Sequence, residues 1–300
     1  MEANWRWMLV TAIAPVSWGS MYVVTHQALP ADAPIWGAAL RALPAAIVLL
    51  LLVRRLPTGA WWWRSVVLGV LNVGAFFLLV YVAATLLPSS IAASVMAASP
   101  VVLMALAWPI ARERPTPRLV LGAVVGIVGV LLVVTTAAGP VDVRGVLASV
   151  AALGMWSLGS VLAKRWHDGT PALRLTAWQL AAGALVLVPC AVLVEGAPPS
   201  VDAVGVAAYA YVALVATALA FVCWFAGIQH LPAGAVGIVG LLNPATGVLL
   251  GVAIGGERLS PLQCVGIALV MVAVAIGATR ARPRAQRSSP PSPASAPAST

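Results

Sequence analysis

The sequence predicts an all-α integral membrane protein with ten transmembrane helices, arranged as two inverted five-helix repeats. Three observations support this fold class. The 300 residues are 62% hydrophobic and only 8% charged, with a mean hydropathy of +1.01, whereas soluble domains average about 25% charged residues. Uncharged runs long enough to cross a bilayer, about 20 residues, recur along the whole chain. The second half also repeats the motifs of the first half at nearly constant spacing.

The first half contains five predicted spans, which are bounded by charged residues or by Pro/Gly breaks: 5–25, 35–53, 65–84, 91–110 and 118–136. The first of them lacks a convincing cleavage site, so we expect a retained helix. The third and fourth share one uncharged run about twice the length of a span, which is expected to fold back at Pro88. Thr116 and Pro117 are typical of an N-cap and the first position of a helix, and they open the fifth span.

The second half contains five further predicted spans with the same kinds of boundary: 144–163, 172–194, 204–228, 233–254 and 261–279. Pro232 divides the second double-length run, and because proline has no N–H it suits the first turn of the next helix. Ser260 and Pro261 open the last span as Thr116 and Pro117 open the fifth. The sequence therefore divides into an N-terminal repeat (1–136), a C-terminal repeat (142–279) and a tail (280–300).

The basic residues predict the orientation and the location of the chain. With the N-terminus inside, nearly all Lys and Arg lie in cytoplasmic segments, Arg144 and Arg258 lie outside, and Arg41 lies within the bilayer. We therefore expect a multi-pass protein of the cell membrane with both termini in the cytoplasm. The net charge of +9 is explained by these loops and the tail, so no nucleic-acid partner is expected. The tail is rich in Arg, then in Pro and Ser, and is expected to be disordered on anionic lipid, with partner binding as the alternative.

The two halves repeat the same short motifs in the same order. At an offset of 144 positions (257 − 113) and, earlier in the chain, of 138 positions (156 − 18), the matched residues are Trp18 with Trp156, Arg41 with Gln179, Leu87-Pro88 with Leu231-Pro232, Pro100 with Pro244, Glu113-Arg114 with Glu257-Arg258, and Gly122 with Gly266. Because each half has an odd number of spans, the second copy is expected to cross the membrane upside down. Inverted repeats are typical of secondary transporters, which expose a midplane site alternately to either side.

Two predicted helices carry a proline at corresponding positions, which is the best sequence indication of such a site. These are the fourth span, with "AASPVV" (97–102), and the ninth, with "LLNPAT" (241–246). Each proline removes a backbone hydrogen bond and frees a carbonyl at membrane depth. Ser99 and Asn243, which precede Pro100 and Pro244, are therefore candidate solute contacts. The alternative is a pair of packing kinks without a ligand role.

With these motifs in place, the chain resembles the drug/metabolite transporter superfamily, specifically the ten-helix EamA-type permeases, over about residues 8–279. The residues that carry the resemblance are Trp18-Gly19-Ser20, Leu40-Arg41-Ala42, Pro88, Pro100, Glu113, Thr116-Pro117, Gly122, Pro232, Asn243-Pro244, Glu257, Ser260-Pro261 and Gly266. The resemblance implies a transporter of amino acids or other small metabolites, and it favours export.

Arg41 is the most informative side chain, because a charge within the bilayer is costly unless it is paired or hydrated. It could attract a carboxylate or phosphate of the solute. The alternatives are snorkelling to the outer surface or hydrogen bonding to carbonyls of a neighbouring helix. Its counterpart Gln179 is neutral, so a cationic anchor would be one-sided.

Further candidates fall into an aromatic set, a polar set and two acidic residues. Aromatic residues on the first, third, sixth and eighth spans could wall a cavity for an apolar solute or form ordinary core: Trp18, Phe76, Tyr81, Trp156, Phe221, Trp224 and Phe225. Polar residues could contact the solute or hydrogen-bond between helices: Ser20, Asn72, Ser160 and Thr246. Glu113 and Glu257 are expected to be structural latches that cap the next helix or pair with an Arg, with gating as the alternative.

Missing features exclude several mechanisms. The predicted spans carry no Asp, Glu, Lys or His in mid-span, which disfavours a carboxylate proton relay. The sequence has no Gly-rich phosphate loop, and its three cysteines lie in apolar runs without metal-ligand spacing, so neither ATP hydrolysis, a cofactor nor a metal is expected. The alternatives from other functional classes are a membrane-embedded enzyme and a non-transporting scaffold or sensor. Within transport, the alternative solutes are phosphorylated or nucleotide-linked, and both monomer and homodimer stay open.

Overall fold

The computed structural model describes residues 2–28, 33–87, 95–134, 142–255 and 260–278, and within these ranges it is helical without a strand. Glu257, Pro88 and the tail (280–300) lie outside the described residues. The helices of the first half are α1 (Glu2–Ala28), α2 (Pro34–Val53), α3 (Trp61–Gly69), α4 (Ala75–Leu86), α5 (Ser99–Ala111) and α6 (Pro117–Val134). Those of the second half are α7 (Val143–Arg165), α8 (Ala172–Glu195), α9 (Ala203–Ala213), α10 (Ala220–His230), α11 (Ala233–Gly240), α12 (Leu242–Gly255) and α13 (Pro261–Ala278).

Helix boundaries follow the local sequence closely. α6 and α13 begin at the two predicted prolines, and Thr116 Oγ1 accepts a hydrogen bond from the N–H of Leu119 at 3.4 Å. Ser260 and Gln263 cap each other reciprocally, at 3.0 and 3.2 Å, which satisfies two N–H groups at the start of α13. These prolines fit because the first turn of a helix makes no use of the missing N–H.

Seven helical segments among the described residues are long and apolar enough to cross a membrane, and α5 and α6 are shorter apolar helices. Large apolar side chains also cover the outer surface; Leu185 and Leu193 are 77% and 84% exposed. Such a surface is expected in lipid and would be a liability in water. The predicted all-helical membrane class is therefore confirmed.

α2 and α8 pack against each other in antiparallel orientation. At one end, the N–H groups of Ile35 and Trp36 each donate to the Glu195 carboxylate at 2.8 Å. At the other end, the indole N–H of Trp178 donates to the carbonyl of Arg55 at 2.8 Å. The start of α2 therefore lies beside the end of α8, and the end of α2 lies beside the start of α8 at the opposite end of the bundle.

Corresponding helices of the two halves also make corresponding contacts with the rest of the bundle. α1 packs against α10 and α12, and its counterpart α7 packs against α4 and α5. α6 packs closely against α13 through Gly129 and Gly266: a Cβ on Gly266 would lie 2.6 Å from the Gly129 carbonyl oxygen. Small residues at such contacts allow two helix backbones to approach in lipid.

A π-helical segment interrupts the helix of the third predicted span, and a second one interrupts the helix of the eighth span at an equivalent place. Val70–Gly74 joins α3 to α4, and Leu214–Leu219 joins α9 to α10, with starting points 144 positions apart (214 − 70). In the second segment, the N–H of Ala220 bonds to the carbonyls of Val215 and Thr217 instead of that of Ala216. A π segment in this way frees a carbonyl that a regular α-helix would use, and such segments are frequent at functional sites.

The two proline-containing spans do not place Pro100 and Pro244 in mid-helix, where each was expected to remove a backbone hydrogen bond. The chain makes a turn at Ala97 and Ala98, and α5 starts after it with Pro100 as its second residue. A turn at Leu241 likewise separates α11 from α12, in which Pro244 is the third residue. The helices are thus interrupted before the prolines, because the ring clashes within a continuing helix but fits a first turn.

Candidate functional site

Aromatic rings from four helices meet at the centre of the bundle around Trp156 of α7. The ring centroid of Trp156 lies 5.4 Å from Trp18 (α1), 5.1 Å from Phe76 (α4), and 5.5 Å from both Phe221 and Trp224 (α10). Offset and edge-to-face pairs at such distances are favourable beyond the area they bury. We call these five residues the aromatic cluster. All five are among the candidates that the sequence analysis named.

The aromatic cluster is closely packed in this conformation. Trp156 is 4% exposed and Phe221 and Trp224 are each 1% exposed, while Phe225 adds a further ring contact 6.2 Å from Trp156. The indole N–H of Trp224 is satisfied by Ser160 Oγ at 3.2 Å. Tyr81 packs at the edge of the same core, one turn beyond Phe77. Trp18 and Phe76 are partly exposed, but the other three rings are buried, so a solute could enter between them only if they move apart; we call this the closed conformation.

Arg41 on α2 reaches the second π segment. Its Nε donates to Thr217 Oγ1 at 2.9 Å, its Nη2 lies 3.4 Å from the carbonyl oxygen of Ala216, and its guanidinium carbon lies 4.3 Å from the ring centroid of Phe77. The same carbonyl accepts a hydrogen bond from Trp18 Nε1 at 3.1 Å. The carbonyl freed by the π segment thus contacts both a cation and a member of the aromatic cluster.

Gln179 on α8 reaches the first π segment in a corresponding way. Asn72, which lies in that segment, donates from Nδ2 to Gln179 Oε1 at 2.9 Å, and both side chains are 0% exposed. Arg41 and Gln179, matched in the sequence, therefore each contact the π segment of the opposite half. One contact is charged and the other is neutral.

The other polar candidates lie at helix contacts near the cluster. Ser20 Oγ is 2.6 Å from the hydroxyl oxygen of Tyr211 and donates to the Ser17 carbonyl at 2.8 Å. Ser99 begins α5, and the Cα of Pro100 would lie 2.6 Å from a Cβ on Gly237. The Asn243 carbonyl oxygen, one residue before Pro244, would lie 2.6 Å from a Cβ on Gly19. The first turn of α5, with Pro100, and the first turn of α12, with Pro244, therefore each pack against a glycine of another helix.

Glu113, at the end of α5, joins three parts of the bundle. Its Oε2 accepts a hydrogen bond from the N–H of Ala233 at 2.8 Å, at the start of α11, and its Oε1 lies 2.5 Å from Nζ of Lys164. Lys164 also donates to the carbonyl of Leu231. The expected partners were the next helix and an Arg; the structure instead places a distant helix start and a Lys there, because the ends of α5, α7 and α10 converge.

Asp168 holds a second contact near this end, in the loop after α7. It accepts hydrogen bonds from Trp61 Nε1 at 2.8 Å and from the Thr170 hydroxyl at 2.6 Å, and Arg64 lies 3.7 Å away. Burial alone would raise the pKa of Asp168, but these hydrogen bonds together hold it below its ordinary value. The loop is thereby tied to the start of α3.

Replacement of Glu113 by leucine is expected to lower the melting temperature more than replacement by glutamine. Glutamine keeps an acceptor for the N–H of Ala233 and loses only the partly exposed ion pair, whose contribution is about 0–1 kcal/mol. Leucine also removes the cap, which costs about 0.5–2 kcal/mol. Thermal unfolding of the purified protein in detergent measures both effects. Equal melting temperatures for the two variants would contradict a capping role.

Several contacts of this site are not predicted from the sequence. Thr217, Phe77 and Tyr211 contact Arg41 or Ser20 but are not among the candidates, and Lys164 is predicted only as one of the basic residues of the cytoplasmic segments. Asn72 is a candidate only as one of several polar residues. The 144-position offset places Asn72 opposite Ala216 and could have pointed to both, but nothing in the local sequence marks a π segment.

A bundle of apolar helices with lipid-compatible outer faces and a central cluster of aromatic and polar side chains defines a polytopic integral membrane protein. The EamA-like transporter family matches residues 5–135 and, separately, residues 143–278. The chain belongs to this family of membrane transporters, and the resemblance found in the sequence is confirmed.

Known relatives agree with this assignment. The chain is 36% identical over 267 residues to Protein PecM of Dickeya dadantii (strain 3937), covering 88% of this chain and 89% of the relative. It is 26% identical to a probable amino-acid metabolite efflux pump of Salmonella typhimurium, covering 87% and 91%, and 26% identical to the uncharacterized inner membrane transporter YedA of Escherichia coli (strain K12), covering 87% of each. A solved crystal structure shares the fold, with a TM-score of 0.79 at 22% identity over 91% of this chain and 97% of that chain.

Proposed function

We propose that this protein is a secondary transporter that moves small organic metabolites, such as amino acids, by alternating access, with export as the favoured direction. The observation that carries the proposal is the aromatic cluster with Arg41 beside it. The cluster draws on α1 and α4 of the first half and on their counterparts α7 and α10. A site at the junction of two halves can open to either side when one half rocks against the other.

The proposal includes ten transmembrane helices in two inverted repeats, 1–136 and 142–279, followed by the basic tail. Two separate family matches support the division. The corresponding contact patterns of the two halves, their equally placed π segments and the antiparallel packing of α2 with α8 support the inversion. We propose an inner-membrane location, as YedA is named, with both termini cytoplasmic on the distribution of basic residues.

The chemistry around Arg41 suits a carboxylate. In the closed conformation the acceptors of the guanidinium include a backbone carbonyl and a hydroxyl, both of them neutral. A carboxylate would make shorter, charge-assisted hydrogen bonds and could replace them when the bundle opens. The rings of the aromatic cluster then suit the apolar part of the same solute. An amino acid combines both features, and the efflux pump named among the relatives supports this class.

Other solutes and classes are less well supported. A phosphorylated or nucleotide-linked solute would favour several cations at the site, and Arg41 is the one that contacts the aromatic cluster region in the described residues. A scaffold or sensor would not require a cation, Arg41, and a pair of buried amides, Asn72 and Gln179, at the centre of the bundle. Monomer and homodimer both fit this mechanism, and the partners we propose are the solute and the bilayer.

The test is a thermal-shift screen of the purified protein against amino acids, nucleobases and sugar phosphates, followed by counterflow in liposomes with the solutes that bind. A ligand that prefers the folded state raises the melting temperature. We expect amino acids with apolar side chains to raise it and to exchange across the membrane, with protein-free liposomes as the control. A response to sugar phosphates alone, or binding without counterflow, would overturn the proposal.

A further inference from the structure

The buried amide pair of Asn72 and Gln179 is incompletely hydrogen-bonded. Nδ2 of Asn72 donates to Oε1 of Gln179, but Oδ1 of Asn72 and Nε2 of Gln179 have no hydrogen-bond partner among the residues that the structure describes, although both residues are 0% exposed. Turning both amides over would only exchange the atoms, because one acceptor and one donor would still be unpaired. The pair thus offers one donor and one acceptor in either assignment.

A pair that served only to join helices would be expected to be fully satisfied, because an unpaired polar atom in a buried site is costly. The corresponding contact in the other half behaves differently, since both Nε and Nη2 of Arg41 have acceptors within the protein. Unpaired buried polar groups in a native structure call for an explanation, and a ligand that is absent from the closed conformation supplies one.

The amide pair lies directly beside the aromatic cluster. A Cβ on Gly159 would lie 2.1 Å from Oδ1 of Asn72, so the carboxamide rests on the bare backbone of α7 at this glycine. Gly159 precedes Ser160, the partner of Trp224, and follows Trp156 by three residues. The pair and the cluster therefore border the same stretch of α7.

Arg41 and the amide pair lie toward opposite ends of the bundle. Arg41 is seven residues after the start of α2 and Gln179 is seven residues after the start of α8, which is about 10 Å along each helix. Because α2 and α8 are antiparallel, these depths are measured from opposite ends. The aromatic cluster thus has a cation on one side and a neutral amide pair on the other.

We propose that Asn72 and Gln179 form a second subsite, which binds a neutral group with one donor and one acceptor, such as a carboxamide or a hydroxyl. This inference rests on the proposed function and specifies its solute: a carboxylate at one end, an apolar middle and a neutral polar group at the other end. The group reaches the subsite when α7 and the first π segment separate, and it then replaces the Gly159 backbone as the neighbour of Asn72.

The test compares glutamine, which carries such a group, with norleucine, which lacks it, in counterflow by the wild type and by the double variant Asn72→Leu with Gln179→Met. We expect the wild type to favour glutamine about tenfold, the effect of one or two hydrogen bonds. The double variant should lose that preference, carry norleucine as before, and melt at an equal or higher temperature, since two unpaired polar atoms are removed. Thr176→Val is the matched control, because it removes a buried hydroxyl of α8 that also has no partner in the described part of the chain.

The outcomes separate the two proposals. If the wild type carries norleucine without favouring glutamine, the subsite is wrong and the proposed function stands. If the double variant melts at a lower temperature and carries both solutes equally poorly, the pair is a structural contact and the subsite is also wrong. If the wild type carries neither solute, the proposed substrate class fails and the subsite fails with it.

Discussion

Replacement of Arg41 by methionine is expected to reduce the transport of carboxylate solutes by about 10- to 100-fold. A hydrogen bond to a charged group contributes about 1.5–3 kcal/mol, and each 1.4 kcal/mol is a factor of ten in affinity. Arg41 is the cation that the structure holds beside the aromatic cluster, with its guanidinium 4.3 Å from the Phe77 ring centroid. The loss should be seen as a raised half-saturation concentration in counterflow by the reconstituted variant.

The same variant is expected to insert and fold. The Ala216 carbonyl keeps its hydrogen bond from Trp18 at 3.1 Å when Arg41 is absent, so the π segment retains one of its contacts. Arg55→Met is the matched control, because it removes the same charge from an exposed residue just after the end of α2. Unchanged transport of carboxylates by Arg41→Met, at a melting temperature near that of the wild type, would refute a solute-binding role and leave Arg41 as a structural contact.

Replacement of Gly266 by alanine is expected to cause the largest loss of stability. A Cβ there would lie 2.6 Å from the Gly129 carbonyl oxygen and 3.0 Å from the amide nitrogen of Val133, both of which are backbone atoms that a rotamer change does not move. The two helices must therefore separate, and overpacking of this kind costs about 1–3 kcal/mol or more. Thermal unfolding in detergent should report a clear decrease in melting temperature.

Gly154→Ala provides the control for this prediction. Gly154 lies on α7, and no atom of the described segments comes within 4 Å of the position of a Cβ there, so alanine should be neutral or slightly stabilising through its higher helix propensity. Gly129→Ala should resemble Gly266→Ala, and the double variant should lose less than the two single losses together, because both act on the same contact. Equal melting temperatures for the Gly266 and Gly154 variants would contradict the close approach of α6 and α13.

Much of the candidate site could be anticipated from residues that recur in both halves. Trp18 and Trp156 correspond in the sequence and lie 5.4 Å apart between ring centroids in the structure. Arg41 and Gln179 also correspond, and each contacts a π segment of the opposite half. The two members of each pair lie in the two segments that the family model matches separately, so the repeated motifs themselves carried this information.

The partners of these residues could not be anticipated. Thr217 is 176 positions from Arg41, and Lys164 reaches Glu113 from another helix altogether. Glu113 caps a distant helix instead of the next one, and the helices are interrupted before Pro100 and Pro244 instead of at these prolines. In each case a local sequence rule identified the residue, but the helix packed against that residue determined which contact it makes.

The sequence by itself determined the membrane class, the positions at which most helices begin and the correspondence of the two halves, because hydropathy, proline and capping residues act over a few neighbouring positions. Only the tertiary structure decided that Ala216 presents its carbonyl to Arg41, that Asn72 and Gln179 leave a donor and an acceptor unpaired among the described residues, and that Trp156, Phe221 and Trp224 are buried. These features depend on how distant helices pack, and packing is a property of the whole bundle.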